Sequence, residues 1–342
     1  MSPDYAEQEW RIDPTLFYKQ SSEKNKLEFL LKYAVLAPSA HNAQPWLCKI
    51  NKNVVEIYYD LESALKISDP TNREGYLSLG AFAYNLYSAG KAFNLDPILN
   101  WKIENNLVAE ISFSFKEESK KNPDLSLLKS LTERRVNRTA YSDQNISKDI
   151  FEKILELNTE KDLEIGFITE KEDKRKAASL ITIGMEFAFH NSQFRKELSR
   201  YIISNNIKSP VGIPGYTANL SFLKSLITPF LIKNFQVGKS EGIKDYNLFS
   251  TSPAIIVISS ESDTKNDWLR SGFLFESISI FLTSENIAFS VSGTPIEAPA
   301  SYTVLQKILK SVHKPQMFFR IGYSKFKVPH SPRKSASDII IT

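Results

Sequence analysis

Residues 76–95, YLSLGAFAYNLYSAGKAFNL, share a helical pattern with residues 268–287, WLRSGFLFESISIFLTSENI, and lie 192 residues before them. Gly80 in the first stretch aligns with Gly272 in the second. In both stretches apolar residues cover almost the whole helical circumference, which is typical of a buried helix. Small residues recur in both, so another element can pack closely against each helix. The sequence therefore predicts the same buried helix twice.

Extended segments flank both helices in the same order. Strands are predicted before the helices at residues 54–59 and 254–259, and after them at residues 99–103, 107–115, 287–292 and 316–322. Asn105 and Asn106 are typical of a hairpin turn. Chance similarity of two buried helices is the alternative, but the repeated order of strand, helix and strand favours a duplication. We therefore expect two half-repeats, residues 1–124 and 125–342, joined by a linker at residues 116–124.

The composition is that of an ordinary globular protein. Of 342 residues, 42% are hydrophobic and 24% are charged, which argues against disorder. The net charge is only +4 and the basic residues are scattered, so a nucleic-acid partner is not expected. The single cysteine, Cys48, excludes an intramolecular disulfide and a multi-cysteine zinc site. No signal peptide or bilayer-spanning apolar run is recognisable, which predicts a cytoplasmic protein without a membrane partner.

A polar loop follows the first amphipathic helix, predicted at residues 27–36. Pro38 disfavours helical geometry at the preceding residue and so ends that helix. The loop then presents a hydroxyl, an imidazole and two amides before Trp46 leads into a strand. Such a loop can hold a ligand, and a capped helix exit without a ligand is an equally good interpretation of the spacing.

Three arginines cluster at the end of a second predicted helix, residues 125–134. Arg134, Arg135 and Arg138 would repel one another unless they shared an anion, and guanidinium groups bind phosphate through paired N–H bonds. A solvated basic turn is the alternative. Further along, Ser147 is expected to cap a helix that carries Asp149 in its first turn.

Two weaker signals lie near the C-terminus. Residues 293–299, GTPIEAP, are expected to be extended, with backbone amides that could face a ring. Residues 331–334, SPRK, form another basic cluster beside a strand end. The four histidines lack the spacing of metal ligands, so no metal site is predicted.

Residues 209–242 have no counterpart in the first half. Prolines and glycines punctuate an apolar stretch at residues 220–231, which predicts a loop-and-helix insertion that covers a site. If the insertion is mobile, its opening would control access to that site.

Four motifs together resemble the nitroreductase family over nearly the whole chain. They are A-P-S-x-x-N-x-Q-P-W at residues 37–46, R-R-x-x-R at 134–138, T-P-I-E at 294–297 and P-R at 332–333. The tandem arrangement resembles the Acg-like branch of that family. The resemblance implies an α+β fold, with a mainly antiparallel sheet flanked by helices, and FMN at the interface of two intertwined subunits. Here two fused repeats would form a pseudo-dimer within a monomer.

The resemblance implies roles for twelve residues, and Ser331 is counted with the same cofactor-binding site. The loop that a partner subunit lends to the flavin is matched by Pro38, Ser39, Ala40, Asn42 and Gln44. The phosphate grip is matched by Arg134 and Arg333, with Arg135 beside it. The cation at the N1–O2 edge of the ring is matched by Arg138, and the segment along the ring face by Pro295, Ile296 and Glu297. Val136 replaces a usual serine, and Ser331 stands where a lysine is common.

Each half carries only part of this pattern, so the fused pair can complete one site. The resemblance implies hydride transfer from NAD(P)H to FMN and then to a small-molecule acceptor such as a nitro group or quinone. It requires no catalytic side chain, because water or the ribityl chain can supply protons. A non-catalytic FMN-binding or storage protein with a lidded site is the alternative, and an interaction protein that has lost its ligand is a weaker one.

Overall fold

A computed structural model describes residues 4–115, 122–218, 220–297 and 301–341. The fold is α+β, with two antiparallel four-stranded sheets flanked by helices. The elements around the first sheet are α1 (Glu23–Ala34), β1 (Trp46–Asn51), β2 (Val54–Tyr59), α2 (Arg73–Ala92), β3 (Ile98–Glu104) and β4 (Leu107–Ser112). The strand order is β1-β2-β4-β3. Asn105 and Asn106 both have positive φ between β3 and β4, which confirms the predicted hairpin turn.

The second sheet has the same topology as the first. The elements that follow are α3 (Leu125–Glu133), α4 (Lys148–Glu156), β5 (Leu163–Ile168), α5 (Lys171–His190), α6 (Ser192–Tyr201), β6 (Ile202–Ile203), β7 (Ile213–Pro214), α7 (Phe222–Asn234), α8 (Gly238–Ser250), β8 (Ala254–Ser260), α9 (Lys265–Ser284), β9 (Ala288–Val291), α10 (Thr294–Glu297), α11 (Ser301–Leu309) and β10 (Lys314–Gly322). The order is β5-β8-β10-β9. The strand directly after the long helix, β3 after α2 and β9 after α9, lies at an edge of its sheet. The next strand, β4 or β10, pairs with the strand before that helix, β2 or β8.

The two helices that resemble each other in sequence pack against each other. Helices α2 and α9 both have 20 residues, and Arg73 and Lys265, their first residues, are 192 positions apart. A Cβ atom on Gly80 would collide with the carbonyl oxygen of Leu269, and one on Gly272 would collide with that of Leu77. The two contacts are reciprocal, because the glycine of each helix meets the equivalent leucine of the other helix. Each glycine is therefore required for the close approach of the other helix.

Later segments of the chain complete the first core. Leu128 and Leu131 of α3 are buried in the cluster that fills the space beside the first sheet. Ala336 and Ile339 join the same cluster, and Ile340 forms a parallel bridge with Cys48 of β1. The C-terminal segment thus crosses from the second sheet back to the first.

The insertion is longer than the sequence indicated. Strands β1 and β2 are joined by a two-residue turn, whereas the equivalent strands β5 and β8 are separated by residues 169–253, which include α5 to α8. Most of the expected linker, residues 116–121, lies outside the described residues, and Asp124 caps α3 by accepting from two backbone amides. In the part of the chain that is described, no helix is long and apolar enough to cross a membrane.

Two local predictions were wrong. The T-P-I-E segment is a helical turn instead of an extended strand, because Pro295 at the first turn is preorganised for a helix and Gly293 accepts from the amides of Ile296 and Glu297. Ser147 lies at the N-cap of α4, but its side chain makes no capping hydrogen bond.

Candidate functional site

Three of the predicted segments converge on one cavity of about 90 Å³. The predicted site residues in its lining are Pro38, Ser39, Asn42, Arg134, Arg135, Arg138, Ser331 and Arg333. Gly212, Ile213 and Thr217, from the start of the insertion, form another wall. Complete ligand pockets usually have about 300–1,000 Å³, so this cavity could hold one group of a cofactor, such as a phosphate.

The loop after α1 has an unusual backbone that fixes its polar groups. His41, Asn42 and Gln44 all have φ near +50°, a left-handed conformation that non-glycine residues seldom adopt. The Ser39 hydroxyl accepts a hydrogen bond from the Gln44 amide at 2.9 Å, which closes the loop on itself. Residues in such conformations persist only where their surroundings determine them.

Asn42 and Gln44 anchor the loop to two other segments. The buried Asn42 amide donates to the carbonyl oxygens of Gly212 and Pro332, each at 3.0 Å. Gln44 donates to Pro210 O at 2.6 Å and accepts from the Lys334 amide at 2.8 Å. Gln44 does not line the cavity, so its structural contribution is to hold the insertion and the C-terminal segment in place.

Arg134 is fully buried and carries an internal counter-charge. Its Nε lies 3.0 Å from Glu276 Oε1, and its Nη2 donates to Leu36 O at 2.8 Å. Burial raises the pKa of the Glu276 carboxyl, while the Arg134 guanidinium opposes this shift. Glu276 comes from α9, so this ion pair ties the arginine cluster to the helix crossing.

Arg333 lies against the same helix exit. Its Nη1 donates to Asn42 Oδ1 at 2.8 Å and to Ser331 Oγ at 2.8 Å, and its Nη2 donates to Leu36 O at 3.1 Å. Its buried Nε has no hydrogen-bond partner within the described residues. Burial, followed by the neighbouring Arg134 charge, lowers the pKa of Arg333. An orphaned donor beside crowded guanidinium groups is the chemistry expected of an anion site.

Arg135 and Arg138 extend the positive wall. Arg135 donates to the carbonyl oxygens of Glu133 and Val328, each at 2.9 Å. Arg138 is exposed to solvent, and the nearby carboxylate of Asp245 stabilises its charge. Arg320 of β10 adds a further buried cation, which stacks on Tyr141 with its Cζ 3.9 Å from the ring centre.

Trp10, Glu7 and His330 also belong to this site, and the sequence did not reveal them. The Trp10 ring stacks on His330, with 4.0 Å between ring centres, and lies 4.8 Å from the Arg333 guanidinium carbon. Glu7 Oε2 is 2.6 Å from His330 Nδ1. A tryptophan and an acidic residue in a charged N-terminal segment were the only available signals, and neither indicates a site by itself.

A second cavity, of about 910 Å³, contains the T-P-I-E segment. Ile296 and Glu297 line it together with Asp69 and Arg73, and apolar side chains of α5 and α6 form the opposite wall. Ala40 faces a small third pocket that also borders Asp69. Pro295 and the two residues after it therefore do not share the cavity of the arginine cluster.

Carboxyl groups crowd one end of the large cavity. Glu297 is hydrogen-bonded to Glu74, and Arg73 Nη1 lies 2.7 Å from Glu74 Oε1. Burial and the Glu74 charge raise the pKa of Glu297 to about 8, and burial raises that of Asp69 to about 6. The hydrogen bond between Glu297 and Glu74, together with the raised pKa of Glu297, indicates that the two carboxyl groups share a proton at this end of the cavity.

Two curated relatives come from two strains of Mycobacterium tuberculosis, and both carry the name "Putative NAD(P)H nitroreductase". The similarity is to nitroreductases. Each relative is 21% identical over 322 residues, which cover 91% of this chain and 90% of the relative. No protein-family profile matches the chain.

Solved nitroreductases give weaker matches. The FMN and NADPH-dependent nitroreductase NfnB from Sphigopyxis sp. strain HMH is 13% identical, with a TM-score of 0.44 over 64% of this chain and 99% of that one. NfnB from Mycobacterium smegmatis in complex with NADPH is 15% identical, with a TM-score of 0.42 over 64% and 97%. A nitroreductase with bound FMN from Bacteroides fragilis is 16% identical, with a TM-score of 0.39 over 63% and 98%.

Proposed function

We propose that this protein is an FMN-dependent NAD(P)H oxidoreductase of the nitroreductase type that reduces a nitro, quinone or similar acceptor. The observation that carries the proposal is the convergence of Arg134, Arg138 and Arg333 with the loop of Pro38 and Ser39 around one cavity. These residues are up to 295 positions apart (38 to 333), so their meeting is a property of the fold. The names of the curated relatives support the same function.

The residues present fit the phosphate group of FMN. Arg333 has an unpartnered buried Nε, and Arg138 extends the same positive wall. Ser331 holds Arg333 from behind and Glu276 holds Arg134, so the guanidinium groups are oriented before a ligand arrives. Arg135, which donates to two carbonyl groups, would contribute charge more than direct contacts.

The ring system would extend from this cavity toward the T-P-I-E turn. Arg138 would stabilise negative charge at one edge of the ring, and the backbone of Pro295, Ile296 and Glu297 would lie along its face. Bound FMN would supply the two-electron chemistry between NAD(P)H and the acceptor. The large cavity beside Glu297, walled by apolar side chains, is our candidate for the acceptor site.

We also propose that the chain is an internal pseudo-dimer, with half-repeats at residues 1–124 and 125–342. The shared sheet topology and the reciprocal contacts of Gly80 and Gly272 support a two-fold relation. The arginine cluster belongs to one half and the loop after α1 to the other. One FMN per chain is therefore expected, with the protein working as a monomer in the cytoplasm.

Flavin content tests this proposal. Purified protein should be yellow, and denaturation should release one FMN per chain, whereas a ratio near two would mean that each half has its own site. Arg138→Ala should lower FMN affinity about tenfold or more, since a charge-assisted hydrogen bond contributes about 1.5–3 kcal/mol. A colourless protein that cannot be reconstituted with FMN would overturn the proposal.

The alternative is a non-catalytic FMN-binding or storage protein. Gly212, Ile213 and Thr217 wall the small cavity, which favours partial closure by the insertion. The large cavity remains open and favours the enzyme. Anaerobic mixing with NADH and NADPH separates the two functions: bleaching of the flavin is expected of the enzyme, while bleaching by dithionite alone would favour storage.

A further inference from the structure

Helix α7 turns its apolar side outward. Leu223 is 70% exposed, Phe230 61% and Ile227 53%. The other large exposed hydrophobic side chains of this segment are Phe222, Leu226, Leu231 and Phe235. The buried face of the helix is marked by Ser225, whose hydroxyl accepts from the Asn205 amide at 3.0 Å. The expected covering of the flavin by this apolar stretch is thus not what the structure contains.

The exposed residues form a continuous stripe. Positions 223, 226, 227 and 230 follow the spacing of one helical face. Single exposed hydrophobic residues are common on proteins, but a contiguous patch marks an interaction surface. None of the three cavities is lined by α7, so this surface is separate from the candidate site.

The sequence interval that contains the stripe carries only basic charges. Between Glu197 and Glu241 the sequence contains no acidic residue. The basic residues of this interval are all exposed: Arg200, Lys208, Lys224, Lys233 and Lys239. Lys224 and Lys233 lie on α7 itself, about two and a half turns apart. An apolar stripe flanked by lysines is complementary to a surface that has negative charges on the outside and an apolar interior beneath them.

We propose that α7 docks onto an anionic lipid bilayer, with its apolar stripe among the acyl chains near the headgroups and its lysines on the lipid phosphates. A second copy of this chain is a poorer occupant. A two-fold contact through α7 would bring the lysines of both copies into one interface and would leave their charge uncompensated. This inference goes beyond the proposed function and is independent of it, because it depends on no residue of the flavin site. It replaces the expectation from the sequence that the protein has no membrane partner.

Vesicle co-sedimentation of the full-length protein tests the proposal. We expect binding to phosphatidylcholine vesicles in which a third of the lipid is phosphatidylglycerol, and binding about tenfold weaker to phosphatidylcholine alone. The double variant Leu223→Ser/Phe230→Ser should lower the binding about tenfold or more. The matched control Ile98→Ser/Val312→Ser removes equally exposed apolar side chains elsewhere and should bind like the wild type.

A second pair of variants tests whether vesicle binding depends on the charge of the lysines. Lys224→Gln/Lys233→Gln should lower binding to the anionic vesicles about tenfold, and added salt should lower wild-type binding. The control Lys52→Gln/Lys148→Gln changes two exposed lysines outside α7 and should have no effect. Circular dichroism spectra and thermal melts measured in parallel report whether any variant has lost its fold.

A label on α7 can locate the contact. Cys48 is buried, so a cysteine introduced by Leu223→Cys can be labelled selectively with an environment-sensitive dye. Anionic vesicles should shift its emission to the blue, whereas the same dye on Val312→Cys should not respond. Three results would each overturn the proposal: equal binding to neutral vesicles, no binding to either kind, or a wild-type dimer that Leu223→Ser/Phe230→Ser converts to a monomer.

Discussion

At the scale of single residues, two neighbouring arginines of one motif have different tasks. Arg134 is fully buried and paired with Glu276, whereas Arg138 lines the cavity and has an exposed side chain. Both residues are arginines and carry the same charge. Their surroundings alone determine that Arg134 stabilises the fold and that Arg138 faces a ligand. Substitutions at the two positions should therefore have different consequences.

Arg134→Ala should destabilise the protein itself. It leaves the buried Glu276 carboxylate without its counter-charge, which costs about 3–5 kcal/mol of folding free energy. Urea denaturation of the flavin-free protein measures the loss. Arg175→Ala, in the solvated first turns of α5, should change stability by less than about 0.5 kcal/mol. Unchanged stability of Arg134→Ala would mean that the Glu276 ion pair does not hold the helix crossing.

His330 should make stability depend on pH. Burial and the Arg135 charge lower the pKa of His330 from 6.5 to about 4, and hydrogen bonds from His330 lower the pKa of Glu7. Because the unfolded imidazole takes up a proton first as pH falls, the stabilisation is complete at pH 7 and is lost between about pH 6.5 and 4.

At pH 5 the loss should be roughly 2 kcal/mol relative to pH 7, from about 1.4 kcal/mol per pH unit. Denaturant unfolding at both pH values measures it. His330→Asn should reduce this difference, whereas His190→Asn, at the exposed end of α5, should leave it unchanged. Equal pH dependence of both variants would show that another group is responsible.

At the scale of elements, the crossing of α2 and α9 organises the molecule. Each helix presents a glycine where the backbone of the other passes, and Glu276 of α9 forms the ion pair with Arg134. The same crossing places the loop after α1 beside the arginine cluster. Close packing at one point between two helices thus determines the distance between the two parts of the candidate site.

Gly80→Ala and Gly272→Ala should each destabilise the protein by about 3 kcal/mol or more. Each added Cβ would collide with a backbone carbonyl of the opposite helix, which cannot rotate away as a side chain could. The double variant should cost less than the sum, because one separation of the helices relieves both collisions. Lys91→Ala, exposed on α2, is the control. Additive effects at the two glycines would contradict a shared crossing.

At the scale of the whole molecule, neither half is complete alone. Three residues of the second half are buried in the core of the first half: Leu128, Leu131 and Ile339. Helices α2 and α9 also pack against each other across the boundary between the halves. A fragment of residues 1–124 would expose these apolar surfaces to water.

Each fragment, residues 1–124 and 125–342, should therefore lack a cooperative thermal transition by circular dichroism and should bind a hydrophobic dye. Mixing the two during refolding should restore a native-like melt, since the missing surfaces are then supplied. A first fragment that unfolds cooperatively as a monomer would contradict the proposed pseudo-dimer.

The sequence by itself determined the elements and the motifs. The helical pattern placed α2 and α9, and the extended segments around them placed the strands, because these signals express burial that is local to each element. The motifs named eight residues that the fold then brings to one cavity. The tertiary structure alone decided that Arg134 has an internal partner, that Trp10 and His330 join the site, and that α7 faces outward. The first two features depend on contacts between segments more than one hundred positions apart. The third depends on which face of an apolar helix is covered. A local sequence pattern encodes neither kind of information.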